Sequence, residues 1–300
     1  MGESWLVFTL LASTLWAFNN FLDKLVLNHY HTSPFLFCTL ANISSLAPAI
    51  AIFPWVTSAG LTSETLPLTV CLGVLFGTIT YVYGSMLEKL DAPIVVLVFQ
   101  LTPVIVLIFD WLFFEAVFPL GVYVGIFCTL SASLCIALDP KLVIEKMRHK
   151  VFGQGDTPQS GRWSVLFLVL TCSLMWSGAV TLQEKLTLQV SVPTVFFIIK
   201  ITEVVLGIVC YPLPAVQEEL AGFHSGTLPK LLGLNFLAEI INALATLSLL
   251  AAFACGPMSL VTTVTSSQPM LALLLILLIN KGRPGSIPDK ESHKNFGFKL

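Results

Sequence analysis

The sequence predicts an all-α integral membrane protein, an inverted repeat of two five-helix units with nine spans present and the tenth missing. Of its 300 residues, 56% are hydrophobic and only 11% are charged, whereas soluble domains carry about 25% charged residues. The mean hydropathy is +0.88. Apolar blocks of about 20 residues recur along the chain, and each can cross a hydrocarbon core of roughly 30 Å as a helix. Landmarks that recur in both halves indicate the repeat.

Apolar blocks predict nine spanning helices, joined by short connections with one exception. The predicted spans cover residues 5–23, 34–55, 67–87, 93–113, 118–138, 163–183, 192–212, 231–253 and 257–279. The exception is 139–162, which is polar, charged and punctuated by glycine and proline, as expected for a linker. The seven cysteines all fall in apolar blocks without a CxxC pair. They therefore predict buried thiols rather than a disulfide or metal framework.

The two halves share five landmarks in the same order, which indicates a duplication. Each half has a tryptophan in its first helix and an acidic residue followed by Lys-Leu at the end of that helix. Prolines then open the next three matched helices. The pairs are Trp16 and Trp176, Asp23-Lys24-Leu25 and Glu184-Lys185-Leu186, Pro34 and Pro193, Pro67 and Pro229, and Pro93 and Pro257. Since each unit has an odd number of helices, the second unit enters the membrane from the opposite side.

The repeat divides the chain into four parts. Residues 1–138 form the first five-helix unit, 139–162 the linker, 163–280 the second unit with four helices, and 281–300 a basic tail. The tail stands where a tenth helix is expected to begin. Either the chain is truncated there, which we favour, or this protein does without its last helix.

The distribution of basic residues predicts the orientation in the membrane. Thirteen of the 15 Lys and Arg fall on one side of the predicted spans, while Lys185 lies on the other side and Lys200 within the membrane. The basic side of a membrane protein is usually cytoplasmic. We therefore expect a cytoplasmic linker and tail, an N-terminus outside, and residence in the plasma (inner) membrane. The net charge of −2 indicates no nucleic-acid partner.

The fourth predicted helix reads APIVVLVFQLTPVIVLIFDWLFFE, from Ala92 to Glu115. Its interior proline and terminal glutamate, with the tryptophan in the first helix of each half, resemble EamA-type transporters of the drug/metabolite transporter superfamily. The resemblance covers the chain up to about residue 280. It implies ten helices, with a cavity lined by helices one, three, six and eight. The chain departs from the pattern at Asn280-Lys281, in the missing tenth helix, and in an N-terminus outside where family members commonly have it inside.

Two charges in the seventh predicted span are candidate site residues. Lys200 and Glu203 are three residues apart and share a helix face. Ionisable groups in membrane helices usually face the bundle interior and mark ion or substrate pathways. The pair either binds a solute or ion, or hides its own charges from lipid as an intrahelical ion pair. The matching first-half positions are Ala41 and Ser44, so the charges are not part of the shared scaffold.

The eighth predicted span carries a polar stripe with the spacing of one helix face: Asn235, Glu239, Asn242 and Thr246. Such a stripe faces other helices or water, since lipid would leave it unsatisfied. Glu239 has no basic residue in its own span. It is either a neutral carboxyl, which suits proton coupling, or a partner of Lys200. The alternative is a hydrogen-bond tether between helices, worth about 1 kcal/mol.

Further candidates lie in the first half. Ser13, Asn20 and Asp23 share a helix face with Trp16 and can line a cavity mouth, while Trp16 is equally suited to packing and to stacking on a ligand. The alternative for Asp23-Lys24, at the end of the first span, is a solvated pair at the interface, which we favour. Gln100 precedes the interior proline of the fourth span, where a freed backbone carbonyl needs a partner.

The sequence favours a secondary transporter that moves a small metabolite or drug-like solute by alternating access, with protons as a candidate coupling ion. The alternative is a non-transporting membrane partner or sensor derived from a truncated transporter. An enzyme ranks last, since HExxH, GxSxG and a glycine-rich phosphate loop are absent. No cofactor or metal is predicted, because the histidines are scattered through loops and the tail. The expected partners are a small solute, protons and the lipid bilayer, for a monomer or homodimer.

Overall fold

A computed structural model describes residues 4–30, 32–89, 102–114, 120–137, 159–223, 226–268 and 271. The structure is 87% helical, and the described residues contain no strand, which confirms the predicted all-α class. The described helices are α1 (Ser4–Tyr30), α2 (Pro34–Ser44), α3 (Leu46–Ile52), α4 (Thr65–Lys89), α5 (Thr102–Phe114), α6 (Leu120–Ala137), α7 (Gln159–Thr187), α8 (Val192–Cys210), α9 (Pro214–Gly222), α10 (Leu228–Cys255) and α11 (Met258–Thr265).

Five segments of the described chain are long and apolar enough to cross a membrane. They are Ser4–Leu27, Pro34–Trp55, Thr65–Met86, Val192–Cys210 and Leu228–Cys255. These segments coincide with the first, second, third, seventh and eighth predicted spans. The predicted tail and most of the predicted linker lie outside the described residues.

Two sets of loop contacts define opposite ends of the helix bundle. At the first, which we call the Thr57 end, the Thr57 backbone N–H donates to Thr194 Oγ1 at 3.0 Å. At the second, the Ser33 end, the Ser33 backbone N–H donates to Glu219 Oε1 at 2.6 Å. Helices α1, α4 and α8 run from the Thr57 end to the Ser33 end, whereas α2–α3, α7 and α10 run the other way.

The second span is divided at Ser45 into α2 and α3. Pro48 has no N–H to donate to the carbonyl of Ser44, so the helical hydrogen-bond ladder is interrupted there. The Ser45 N–H keeps its helical bond to the Ala41 carbonyl at 3.1 Å and also lies 3.3 Å from the Asn42 carbonyl. The break places a serine side chain in the bundle interior, where Ser45 is 0% exposed.

Helices α1 and α10 form the most extensive interhelical contact of the described structure. Their antiparallel register is fixed at three levels. Near the Thr57 end, Trp5 packs against Gly256 so closely that a Cβ there would lie 2.6 Å from the Trp5 Cβ. In the middle, Trp16 hydrogen-bonds Asn242. Near the Ser33 end, Val26 and Leu231 belong to one buried apolar cluster.

Helix α8 packs against α2 through a glycine. A Cβ built on Gly207 would lie 2.9 Å from the backbone nitrogen of Ile43, so only a residue without a side chain fits there. On the opposite face of α8, Val205, Ile208 and Val209 are 53–64% exposed, as expected for a surface that meets lipid. Helix α8 therefore has one face in the bundle and one toward the bilayer.

Several helix boundaries differ from the predicted ones, and α7 begins at Gln159, inside the predicted linker. Helix α1 continues to Tyr30, beyond the predicted end at residue 23, and α9 occupies a stretch predicted as a loop. Pro214 at the first position of α9 and the fully buried Val216 are the local signals for that helix. Glu219 on α9 also binds the hydroxyl of Ser33, so α9 closes the Ser33 end of α2.

Candidate functional site

Lys200 lies at the centre of a buried charge cluster between α8 and α10. Its ammonium nitrogen is 2.8 Å from Glu203 Oε2 and 2.8 Å from Glu239 Oε1. Lys200, Glu203 and Glu239 are 0%, 4% and 5% exposed, respectively. The structure thus brings together the three ionisable residues predicted for the site, from two different spans.

Ser45 completes this cluster from the first half of the chain. Its Oγ lies 2.8 Å from Glu203 Oε2 and 2.9 Å from Glu239 Oε1, the same two oxygens that Lys200 binds. The four atoms therefore form a ring of contacts. Lys200 Nζ and Ser45 Oγ stand on opposite sides of it, and each contacts both carboxylate oxygens. We call Lys200, Glu203, Glu239 and Ser45 the charge cluster.

A hydrogen-bonded chain leads from the charge cluster to α1. Asn242 donates through Nδ2 to Glu239 Oε2 at 3.1 Å, and its Oδ1 accepts from Trp16 Nε1 at 3.0 Å. Both Glu239 carboxylate oxygens thus have partners. The Trp16 ring packs edge-on against Trp176 with centroids 5.8 Å apart. The two tryptophans matched by the repeat therefore meet in the interior.

The charge cluster has an excess of negative charge. Two carboxyl groups and one ammonium give a formal net charge of −1 when all three are ionised. Burying ions away from water costs several kcal/mol for each, which close pairing and additional hydrogen bonds must offset. The hydroxyl of Ser45 and the amide of Asn242 supply those bonds.

The remaining predicted residues lie outside the charge cluster. Asn235 Nδ2 donates to the carbonyl of Phe37 at 3.3 Å, and Asn20 Oδ1 accepts from the Tyr83 hydroxyl at 3.4 Å. Gln100 falls outside the described residues. Asn20 is half-buried and Asn235 is buried. The described side-chain hydrogen bond of each connects its helix to another helix of the bundle.

The prediction of a solvated Asp23-Lys24 pair is wrong for Asp23. Helix α1 continues seven residues past it, and Asp23 is only 5% exposed. Its carboxylate accepts a hydrogen bond from Asn19 Nδ2 at 3.1 Å. The apolar Leu25, Val26 and Leu27 that follow Asp23 were the available sign that the helix continues into the bundle.

Sequence reasoning also missed Ser45 and Gln183. Pro48 signals the helix break that exposes Ser45 to the two carboxyl groups, although no pattern identifies Ser45 as their partner. Gln183 is fully buried, and neither of its amide atoms has a partner among the described residues. It stands one residue before Glu184, which the repeat matches to Asp23.

The apolar spans and the buried polar interior define an integral membrane protein. Residues 3–138 match the EamA-like transporter family, which confirms the resemblance to the drug/metabolite transporter superfamily. A crystal structure of a protein superposes with a TM-score of 0.69 at 16% sequence identity, over 95% of this chain and 91% of that chain, so the two share a fold. No curated protein matches the sequence.

Proposed function

We propose that this protein is a secondary transporter in which the Glu203–Glu239 pair carries the coupling proton and a small solute crosses by alternating access. The observation that carries the proposal is the position of the Ser45 hydroxyl, within 2.9 Å of both carboxyl groups. The substrate is a small metabolite or drug-like solute. The class of transporter rests on the family match.

The Ser45 contacts favour a proton shared within the charge cluster. A hydroxyl has a single O–H and can donate to one acceptor at a time. With both carboxyl groups ionised, one of the two short Oγ contacts would bring lone pair against lone pair. If one carboxyl is protonated, it donates to Oγ while Oγ donates to the other, and both contacts become hydrogen bonds. A carboxyl that gains and loses this proton is what proton coupling requires.

Helix direction supports an inverted repeat. The matched helices α1 and α7 start at opposite ends of the bundle, and so do α2 and α8, and α4 and α10. Transporters built in this way place their binding site at the interface of the repeats, near the membrane midplane. The charge cluster has this character, because Ser45 comes from the first half and its three charged partners come from the second.

The cluster also suits a change between two arrangements. Lys200 and Glu203 belong to α8, Glu239 to α10, and Ser45 to the break between α2 and α3. Protonation of both carboxyl groups would remove the attraction to the ammonium and loosen three elements at once. A solute that binds with different affinity in the two states would then be coupled to the proton. Helices α1, α4, α7 and α10, which match family helices one, three, six and eight, are the proposed cavity walls.

Proton movement in proteoliposomes tests the proposal. The lumen is loaded with a pH-sensitive dye, the membrane potential is clamped, and a panel of amines, amino acids, sugars and nucleotides is added in turn. We expect at least one solute to change the lumenal pH with the parent protein. Glu239→Gln should abolish the pH change, while Glu64→Gln, a carboxyl exposed in a loop, should leave it intact.

Two outcomes contradict the proposal. If Glu239→Gln moves protons with the solute as the parent does, the coupling role of the pair is wrong. If no solute moves protons and none accumulates as radiolabel, the non-transporting partner or sensor becomes the better account.

A further inference from the structure

The facing stripes of α1 and α10 form a second polar site, outside the charge cluster. On α1 the buried stripe runs through Ala12, Trp16, Asn19, Asp23 and Val26, which are 0–9% exposed. The spacing of four, three, four and three residues keeps them on one helix face. Because Trp16 is hydrogen-bonded to Asn242, this stripe faces the polar stripe of α10.

The antiparallel register sets which residues stand at the same level. Asn19 and Glu239 are each three residues, or about 4.5 Å, from the Trp16–Asn242 bond toward the Ser33 end. Asp23 and Asn235 are each seven residues, or about 10.5 Å, from it in the same direction. Asp23 therefore stands opposite Asn235, about one helical turn from Glu239.

The Asp23 carboxylate lacks a cationic partner among the described side chains. Its described hydrogen bond comes from the neutral amide of Asn19, and the described ion pairs involve only Lys200, Glu203 and Glu239. A buried ion with no counter-charge is strongly unfavourable. Intramembrane carboxylates of this kind mark ion or substrate pathways.

Two buried amide oxygens beside Asp23 also lack donors. Asn19 Oδ1 and Asn235 Oδ1 have no hydrogen-bond partner within the described part of the chain, and the two residues are 8% and 1% exposed. Their orientation follows from their other bonds, since Asn19 Nδ2 faces the Asp23 carboxylate and Asn235 Nδ2 faces the Phe37 carbonyl. Only an amide N–H can satisfy those acceptors, so the orphaned atoms are carbonyl oxygens.

Hard cations and ammonium groups are bound by oxygen ligands such as a carboxylate and amide carbonyl oxygens. Here the two amide carbonyl oxygens have no hydrogen-bond donor among the described residues. We propose that Asp23, Asn19 and Asn235 form a binding site for a monovalent cation in the seam between α1 and α10. Val26, Phe37 and Leu231 belong to the apolar cluster next along the seam toward the Ser33 end. On the other side the charge cluster begins with Glu239.

The cation is a metal ion such as Na⁺ or K⁺, or a small protonated amine. The charged and titratable groups around Asp23 are Glu239 on α10, Tyr83 on α4 and Cys38 on α2. The first adds negative charge, which strengthens the attraction for a cation. The inference goes beyond the proposed function. Cation binding is measured without transport, so the cation site and the proton-coupled transport can each be wrong independently of the other.

Thermal unfolding of the full chain in lipid nanodiscs tests the site. The unfolding temperature is followed against NaCl, KCl or methylammonium chloride, with choline chloride replacing each salt at constant ionic strength. We expect a saturable rise with at least one of the three cations, since a ligand that binds the folded state stabilises it. The cation that gives the rise distinguishes a metal site from an amine site.

Variants locate the response. Asp23→Asn should weaken the apparent affinity about tenfold or more, and the exposed Glu64→Gln should leave it unchanged. Asn235→Asp adds a second carboxylate and should tighten binding, which a purely structural role of Asn235 does not predict.

The proposal is overturned if none of the three cations stabilises the parent relative to choline, or if Asp23→Asn keeps the full response. It is also overturned if only acidification stabilises the parent and this effect is lost in Asp23→Asn. In that case Asp23 holds a proton and not a cation.

Discussion

Lys200 on α8 and Glu239 on α10 form a buried ion pair with 2.8 Å between Nζ and Oε1, although they are 39 residues apart in the chain. The same ammonium binds Glu203 on its own helix at 2.8 Å. Lys200 therefore serves as the shared counter-charge of two carboxyl groups. This arrangement engages the ammonium with two carboxyl groups of the protein.

Loss of the shared ammonium should destabilise the fold strongly. In Lys200→Met, two carboxyl groups remain in the interior without a counter-charge, which should cost about 3–5 kcal/mol of unfolding free energy. Denaturant titration in mixed micelles measures the loss. Lys185→Met, at an exposed position, should change stability by less than about 0.5 kcal/mol. Equal stability of the two variants would mean that Lys200 is not the counter-charge.

Removal of the Ser45 hydroxyl should act on both carboxyl groups. Ser45→Ala deletes two contacts to carboxyl groups inside the bundle, and a hydrogen bond to a charged group is worth about 1.5–3 kcal/mol. It should also shift the pH dependence of solute-driven proton movement, because the shared proton loses its partner. The matched control is Ser58→Ala in an exposed loop. A stability loss with an unchanged pH profile would give Ser45 a structural role alone.

The close approach of α8 and α2 should tolerate no added methyl group. Gly207→Ala places a Cβ 2.9 Å from the Ile43 backbone nitrogen, and overpacking of this kind costs about 1–3 kcal/mol. Gly233→Ala on α10 has nothing within 4 Å. That change should stabilise the protein by about 0.5–1 kcal/mol, since alanine is the better helix former. Thermal unfolding in nanodiscs compares the two, and a Gly207→Ala protein as stable as the parent would contradict the packing.

The Trp16–Asn242 hydrogen bond should hold the α1–α10 register beside Glu239. Trp16→Phe keeps an aromatic ring but leaves Asn242 Oδ1 without its donor, which should cost about 1–3 kcal/mol. Trp55→Phe, at a position that is 61% exposed, provides the control. A cross-link between cysteines placed at Ala12 and Thr246, which stand at the same level, should form less readily in Trp16→Phe if the register is loosened. An unchanged yield would show that packing alone fixes the pair.

Much of the interior could be predicted from the sequence because membrane helices leave few options for charges. Lys200, Glu203 and Glu239 interrupt long apolar runs, and their side chains have to meet inside the bundle. The structure does bring them together. The spacing of the stripe also identified Asn242, which binds Glu239 directly. Helical periodicity was sufficient to find these residues, because a polar side chain in an apolar membrane span has to face the bundle interior.

The roles of Ser45, Asp23 and α9 could not be predicted from the helical spacing of polar residues. Ser45 reaches the carboxyl groups only because Pro48 breaks the second span, and a hydroxyl in an apolar run does not stand out as a partner. Asp23 was assigned to the interface because a charged pair normally ends a span, yet α1 extends to Tyr30. The short helix α9 is too small to give a membrane signal. Tertiary packing decided each of these cases.

Glu203 and Glu239 are proposed to share one proton beside Ser45. Infrared difference spectroscopy of the parent at neutral pH tests this sharing, since a protonated carboxyl has its own C=O stretching band. We expect such a band in the parent, its loss in Glu239→Gln or Glu203→Gln, and its persistence in Asp23→Asn. A parent spectrum without that band, or a band that survives in both glutamine variants, would contradict the claim.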